Sequence, residues 1–253
     1  MGAWSIIEMA QLHEGLDFDA EHYHPDRSSA WTTLTAHAKK VVSNFAVEIE
    51  DLRCPDSLRP SFDLTAAISQ FLDFEGTAGA TSTKKIAMPG DVIVSRLRSY
   101  LREVCLLPER GDHFEPQLST EFIVLRALSK ESAAWLVPFI LSKPVQTVLR
   151  WSQTGSNHPR FSARTLLNMP VVGMVEKIIP RLNTITTAAV REFERSVTSY
   201  PEAQAELLDR LKWNGPSQPA HQYFSTSFSA SAATGRWDAE HFRPEVRELI
   251  RTH

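Results

Sequence analysis

The sequence predicts an α+β protein in which a mixed α/β domain is followed by a long helical region. Over roughly the first two thirds of the chain, short apolar runs bounded by turn residues alternate with segments of helical periodicity. From Pro170 onward, apolar residues instead recur at intervals of three and four, the spacing of one helix face. The 253 residues, 42% hydrophobic and 23% charged, are typical of a globular chain with a substantial core.

The elements of the α/β domain can be assigned in order along the chain. Helical spacing over 30–42, ending in a basic turn, predicts a first helix, and Pro25 suits the first position of such a helix. Residues 44–90 are rich in turn formers and predict loops with short strands. The next segments predict strands at 91–95, 104–107 and 122–126, helices at 132–141 and 144–151, and a loop at 154–160.

The segment after Pro170 is typical of a helical spacer, although its apolar stripe would also suit a core helix. We expect a helix over 181–199 that starts or kinks near Pro180, and a break at Tyr200-Pro201 before a second helix over 202–213. The two helices would form an antiparallel pair. The predicted regions are a domain at 1–169, a helical spacer and dimerisation region at 170–213, and a connector at 214–253 that begins a second repeat copy.

That repeat is a short motif present near both ends of the chain. Asp19-Ala20-Glu21-His22-Tyr23-His24-Pro25 matches Asp238-Ala239-Glu240-His241-Phe242-Arg243-Pro244, and an aromatic residue precedes the Asp in each copy. So many matching positions indicate one complete repeat unit and the opening of a second. The second copy has arginine where the first has His24, and nothing that corresponds to His13. We therefore expect no metal site among the acidic and histidine residues of the first copy.

Several motifs that carry enzyme chemistry are missing from the sequence. It has no glycine-rich nucleotide loop, no serine-nucleophile elbow, no zinc-binding His-Glu-x-x-His and no methyltransferase signature. The most basic segment also lacks the carboxylates that metal-assisted cleavage of a phosphodiester would need. We expect a protein that is not an enzyme and that needs no cofactor.

The two cysteines and the apolar runs predict a cytoplasmic protein. Cys54 and Cys105 form no disulfide framework and are expected to be reduced and mostly buried. The longest apolar run, 133–141, is less than half of a bilayer span and contains Pro138. The first residues lack the basic start and apolar stretch of a secretory signal.

Charge is distributed unevenly although the net charge is only −3. From Ser132 to Val175 there is no Asp or Glu, whereas the first 26 residues contain six acidic side chains and no Lys or Arg. Such polarity allows one face to attract a polyanion while the remainder repels it, unless the placement is an ordinary fluctuation.

Three segments in this order resemble a known family. They are 89–102 (PGDVIVSRLRSYLR), 118–126 (LSTEFIVLR) and 154–161 (TGSNHPRF) with the LLNMP that follows at 166–170. Together they resemble the target-recognition domain of DNA specificity subunits of type I restriction-modification systems. The helical region through Tyr200-Pro201 looks like the spacer of that family, and the terminal repeat matches its two similar halves.

The resemblance implies a role and a set of partners. Such subunits usually carry two recognition domains and two spacers, whereas this chain has one of each and resembles half a subunit. The family implies binding of double-stranded DNA at a bipartite site, together with adenine-methyltransferase subunits and a restriction or translocase subunit. A half that pairs with itself would place two domains about a two-fold axis and bind inverted repeats. The alternatives are a recognition module of another defence or fused restriction-methylation system, and a helical protein-interaction adaptor that does not bind DNA.

Candidate DNA contacts fall in three places. Arginines that alternate after a predicted strand would project from one face of an extended segment, and the polar loop would suit base edges or backbone. A salt-bridged surface strand and a plain connecting turn are the competing interpretations. The candidates are Arg96, Arg98 and Arg102 after the strand, Ser156, Asn157, His158 and Arg160 in the loop, and Lys143 and Arg150 as phosphate contacts.

Overall fold

A computed structural model describes residues 21–67, 71–73, 76, 81–110, 114–129 and 132–212. The second copy of the terminal repeat, the start of the first copy and the connector from 213 onward lie outside the described residues. By its contacts the chain divides into two units, residues 1–195 and 196–253. The first unit is a mixed α/β fold, and the described part of the second is helical as far as Arg210.

The first unit opens with helix α1 (Pro25–Thr35), which places proline at the first helical position as predicted. This helix ends seven residues earlier than expected. His37 adopts a left-handed conformation (φ +59°), and Lys40 and Val41 then form a strand rather than a helical turn. The strand is stabilised by pairing with a distant segment at 170–171, which the local spacing of apolar residues could not show.

Two four-stranded sheets and one two-stranded ribbon follow. The first sheet has the order β2 (Ala46–Glu48), β9 (Phe122–Ala127), β6 (Val92–Ser95) and β7 (Val104–Leu106), and all neighbours are antiparallel. The second has the order β3 (Leu52–Arg53), β5 (Lys84–Ile86), β8 (Gln117–Leu118) and β4 (Ser61–Phe62), with only the last pair parallel. The ribbon pairs β1 (Lys40–Val41) with β10 (Pro170–Val171).

The first sheet separates two hydrophobic cores. Val92 and Val94 face the first core, which the sheet shares with helices α2 (Leu136–Ile140), α3 (Lys143–Arg150) and α4 (Ala163–Leu167). Ile93 and Val124 face the opposite core, which contains Phe62 and Leu118 of the second sheet. Because both faces are covered, β6 and β9 are continuous apolar runs, and the strands and short helices predicted from those runs are confirmed.

Residues Gly173–Arg210 form one continuous helix, α5, so the expected antiparallel pair of helices is wrong. It continues through Pro180 and Pro201, so neither proline ends a helix. A proline inside a helix removes one backbone hydrogen bond, and packing can compensate for that loss. Such packing exists near Pro180, because Ile179 and Val190 are buried in the first core. In addition, the backbone N–H of Trp135 donates a hydrogen bond to Oδ1 of Asn183 at 2.8 Å.

The two cysteines differ, which corrects the expectation that both are mostly buried. Cys105 is buried within β7, whereas Cys54 is exposed. Among the described residues, none of the helices combines the length and hydropathy that crossing a bilayer requires.

Candidate nucleic-acid interface

The chain leaving strand β6 does not continue as the extended segment that the alternating arginines predicted. Arg98 adopts φ +50°, residues Ser99–Leu101 form a short 3-10 turn, and Arg102 adopts φ +58°. The three arginines therefore do not project from one face of a strand. A left-handed backbone is unfavourable for a residue with a side chain, so tertiary contacts must hold this turn in place.

Those contacts come from the polar loop at 154–160. The Arg98 N–H donates to the Pro159 carbonyl at 3.0 Å, and the Phe161 N–H donates to the Arg96 carbonyl at 3.1 Å. Phe161 itself is buried in the first core and anchors the end of the loop. The two sequence segments predicted to contact DNA are thus adjacent in the structure.

The loop closes on itself and presents its tip to solvent. Thr154 and Arg160 exchange two backbone hydrogen bonds of 2.9 Å, and Gly155 provides the left-handed conformation (φ +96°) that a tight turn requires. Between them, Ser156, Asn157 and His158 are exposed. These three side chains can act as donors and acceptors at the surface.

Arg96 and Arg160 bind the same carboxylate, that of Glu121. The Arg160 Nη2 donates to Oε1 of Glu121 at 2.7 Å, and the Arg96 Nε donates to Oε2 of the same group at 3.1 Å. The hydrogen bond from Arg160 is the main cause that lowers the pKa of Glu121, and the charge of Arg96 adds to it. Both arginines are thus ion-paired to Glu121, and a role of either in DNA binding stays a prediction.

A basic groove lies beside this turn. It has a volume of about 390 Å³ and its cationic side chains are Arg102, Lys143 and Arg150. None of the described residues that line it is acidic, and within the described residues no carboxylate lies within 4.0 Å of these three cations. The remaining lining residues are Tyr100, Leu141, Gln146 and Thr147.

Helix α3 explains why the groove collects charge. Lys143 and Arg150 are seven residues apart, so they lie on one face of the helix, while Val145, Val148 and Leu149 are buried on the other. Arg102 is held against the neighbouring turn, because its Nη2 donates to the Leu141 carbonyl at 2.9 Å. Phosphate groups are the natural ligands of such a set of guanidinium and ammonium groups.

The candidate residues therefore fall into three sets. Arg102, Lys143 and Arg150 line the groove, Ser156, Asn157 and His158 are exposed in the loop, and Arg96 and Arg160 bind Glu121. Arg98 joins the loop to the turn through its backbone. Sequence reasoning missed Tyr100, Gln146, Thr147 and Glu121; helical spacing from Lys143 to Arg150 would have indicated Gln146 and Thr147.

No group of three or more potential metal ligands occurs among the residues that the structure describes.

No protein-family model and no curated protein matches the chain. One similar solved structure is an HsdS subunit from Thermoanaerobacter tengcongensis, with 18% identity, a TM-score of 0.39 and coverage of 72% of this chain and 50% of that one. Another comes from work on assembly and conformational transition of the type I R-M system, with 18% identity, a TM-score of 0.36 and coverage of 81% and 53%. The chain thus spans about half the length of the solved structures it matches.

Proposed function

We propose that this chain recognises a DNA sequence as the non-catalytic specificity subunit, or half-subunit, of a type I restriction-modification complex. The observation that carries the proposal is that the basic groove of Arg102, Lys143 and Arg150 lies beside the exposed loop at 154–160. The segment at 96–102, which contains the Ser99–Leu101 turn, connects the groove to the loop. The sequence resemblance supports the same function independently.

The two parts of this surface suit the two components of DNA binding. Cationic side chains that neutralise phosphates give affinity and register, whereas sequence is recognised by polar and apolar contacts to base edges. Lys143 and Arg150 are exposed on a rigid helix and suit phosphates. Ser156, Asn157 and His158 carry the donors and acceptors that base edges require.

The remaining regions take the roles that a half-subunit needs. Residues 1–169 form the target-recognition domain, 170–213 the helical spacer and 214–253 the connector with the second repeat copy. Adenine-methyltransferase subunits, and a restriction or translocase subunit, would bind this chain on a bipartite site in the cytoplasm.

The spacer helix would also join two copies of the chain. Met174, Ile178 and Ile185 are exposed large apolar side chains of α5 within the first unit. Their spacings of four and seven residues place them along one helix face. Pairing of two such faces would bury this stripe and relate two recognition domains by a two-fold axis, so the target would be an inverted repeat.

The proposal is tested by mapping methylated adenines across the host genome with and without the gene. Loss of one interrupted motif on deletion is the expected result, and a palindromic motif would support two identical halves. Unchanged methylation would contradict the modification role.

The same exposed stripe on α5 favours one other candidate, a protein-interaction adaptor that does not bind DNA. Fluorescence anisotropy of the purified full chain with a labelled duplex distinguishes the two. Salt-dependent binding supports DNA recognition, and its absence at low salt favours the adaptor.

A further inference from the structure

Tyr100 is an unusual surface residue. Among the described Phe, Tyr and Trp residues, only Tyr100 and Tyr200 are exposed, and Tyr100 exposes 60% of its surface at the rim of the basic groove. The apolar surface of a ring in that position stays in contact with water unless a ligand covers it, and covering it is favourable. Its neighbours in the groove are the cations Arg102, Lys143 and Arg150.

The backbone that presents this ring is strained. Tyr100 lies at the centre of the Ser99–Leu101 turn, and the residue on either side of that turn is a left-handed arginine. Such conformations cost free energy and tend to occur at functional sites. An extended segment would satisfy the local sequence at lower cost, but it would not place the ring at the groove.

The turn is also held rigidly on both sides. The Arg98 N–H binds the Pro159 carbonyl, while the Arg102 N–H binds the Ser99 carbonyl at 3.0 Å and its guanidinium binds the Leu141 carbonyl. The backbone that carries Tyr100 is therefore held against the polar loop on one side and against Leu141, just before helix α3, on the other. A turn that is held in this way lowers the entropy that binding would otherwise cost, because its backbone is already ordered.

We propose that Tyr100 contacts bases of the target DNA while Arg102, Lys143 and Arg150 hold the adjacent phosphates. Tyr100 then contributes to sequence selectivity, and the three cations contribute affinity that is independent of sequence. An aromatic ring can partly unstack a base step, and the cost of doing so depends on the bases present because steps differ in how readily they deform. This inference rests on the proposed function and adds to it a specificity-determining residue.

The test is selection of binding sites from a pool of randomised 40-base-pair duplexes by the full chain. Wild type is compared with Tyr100→Ala, Tyr100→Phe and, as control, Leu58→Ala, whose side chain is 92% exposed in the loop between β3 and β4. Thermal melting verifies that each variant is folded. Affinities for the selected duplex and for an unrelated duplex are then measured over a range of salt concentrations.

We expect Tyr100→Ala to lower the preference for the selected duplex by about tenfold, the usual effect of losing one sequence-dependent contact in a DNA site. The slope of log affinity against log salt should not change, because no phosphate contact is removed. Tyr100→Phe should retain the preference, since the ring makes the contact, and Leu58→Ala should behave as wild type.

Two outcomes would overturn the inference while leaving the proposed function intact. In one, Tyr100→Ala selects the same motif with the same preference as wild type. In the other, it weakens binding to both duplexes equally, which would make Tyr100 a general contact. If wild type binds no duplex and selects no motif, the proposed function itself fails and the role of Tyr100 fails with it.

Discussion

Arg160 and Glu121 form a bidentate ion pair in which two guanidinium nitrogens reach the two carboxylate oxygens, at 2.7 Å from Nη2 to Oε1 and 2.9 Å from Nε to Oε2. Glu121 precedes β9, and Arg160 lies at the end of the polar loop. The pair therefore connects the first sheet to the loop, and Arg96 joins it at the exit of β6. Glu121 thus links the polar loop to Arg96, which leads from β6 towards the turn that carries Tyr100.

Replacing Glu121 with Gln should make stability less sensitive to acid. The pKa of Glu121 is lowered from its ordinary value of 4.5, mainly by the hydrogen bond from Arg160. A lowered folded-state pKa means that the stabilisation is present above the unfolded-state pKa and is lost as pH falls through the folded-state value. Melting temperatures should therefore converge for wild type and Glu121→Gln as pH falls from about 5 to below 4.

The control for this prediction is Glu192→Gln, which removes an exposed ion pair with Arg195 on helix α5. Its melting curve should follow that of wild type across the same pH range, because exposed pairs contribute little. A constant difference between wild type and Glu121→Gln at all pH values would contradict the assigned role of the carboxylate.

Arg150→Ala and Arg96→Ala should affect DNA binding differently. Arg150 is exposed in the groove, so its loss should lower the salt slope by about one and weaken binding to all duplexes alike. Arg96 is bound to Glu121, so its loss should alter stability more than the salt slope. Anisotropy titrations at several salt concentrations measure the salt slope of each variant, and thermal melting measures its stability. Equal changes in slope would show that Arg96 also contacts phosphate.

Strands β6, β7 and β9 were predictable because their sequences are continuous apolar runs, whereas β1 and β10 were not, because each is stabilised only by pairing with the other. The conformation of Arg98 and Arg102 was not predictable, because distant carbonyls at Pro159 and Leu141 stabilise it. The pairing of Glu121 with Arg160 likewise joins residues 39 positions apart. Local spacing determines elements, whereas site geometry depends on contacts that only the folded chain makes.

Asp91→Ala should destabilise the fold by about 2–4 kcal/mol, less than the roughly 3–5 kcal/mol for a fully buried pair because Arg126 is partly exposed. Asp91 is buried, and its two oxygens accept from the Arg126 Nε at 2.8 Å and Nη2 at 2.7 Å. Urea denaturation measures the change. Asp51→Ala, which removes an exposed pair with Arg53, is the control and should unfold at the same urea concentration as wild type.

The two thiols should react at different rates. Burial raises the pKa of Cys105 well above its ordinary value, so little thiolate forms and access is blocked. Cys54 is exposed. Treatment with iodoacetamide should label one thiol in the native protein and both in guanidinium chloride, and Cys54→Ser should abolish native labelling. Native labelling of Cys105 would contradict its position in the core.

Ile185→Arg should weaken self-association of the chain. Ile185 is 54% exposed and lies on the same face of α5 as Met174 and Ile178, where pairing of two copies would bury it. Burying one isoleucine contributes about 1.5–3 kcal/mol, which corresponds to at least a tenfold weaker dimer when a charge replaces it. Sedimentation velocity over a range of protein concentrations measures this change.

Leu58→Arg provides the matched control, since it adds the same charge at an exposed apolar position far from α5 in sequence. It should associate as wild type does. A wild type that remains monomeric at all concentrations, or an Ile185→Arg variant that dimerises equally well, would remove the two-fold arrangement. The predicted target would then no longer be an inverted repeat, because a single recognition domain imposes no symmetry on the DNA site it binds.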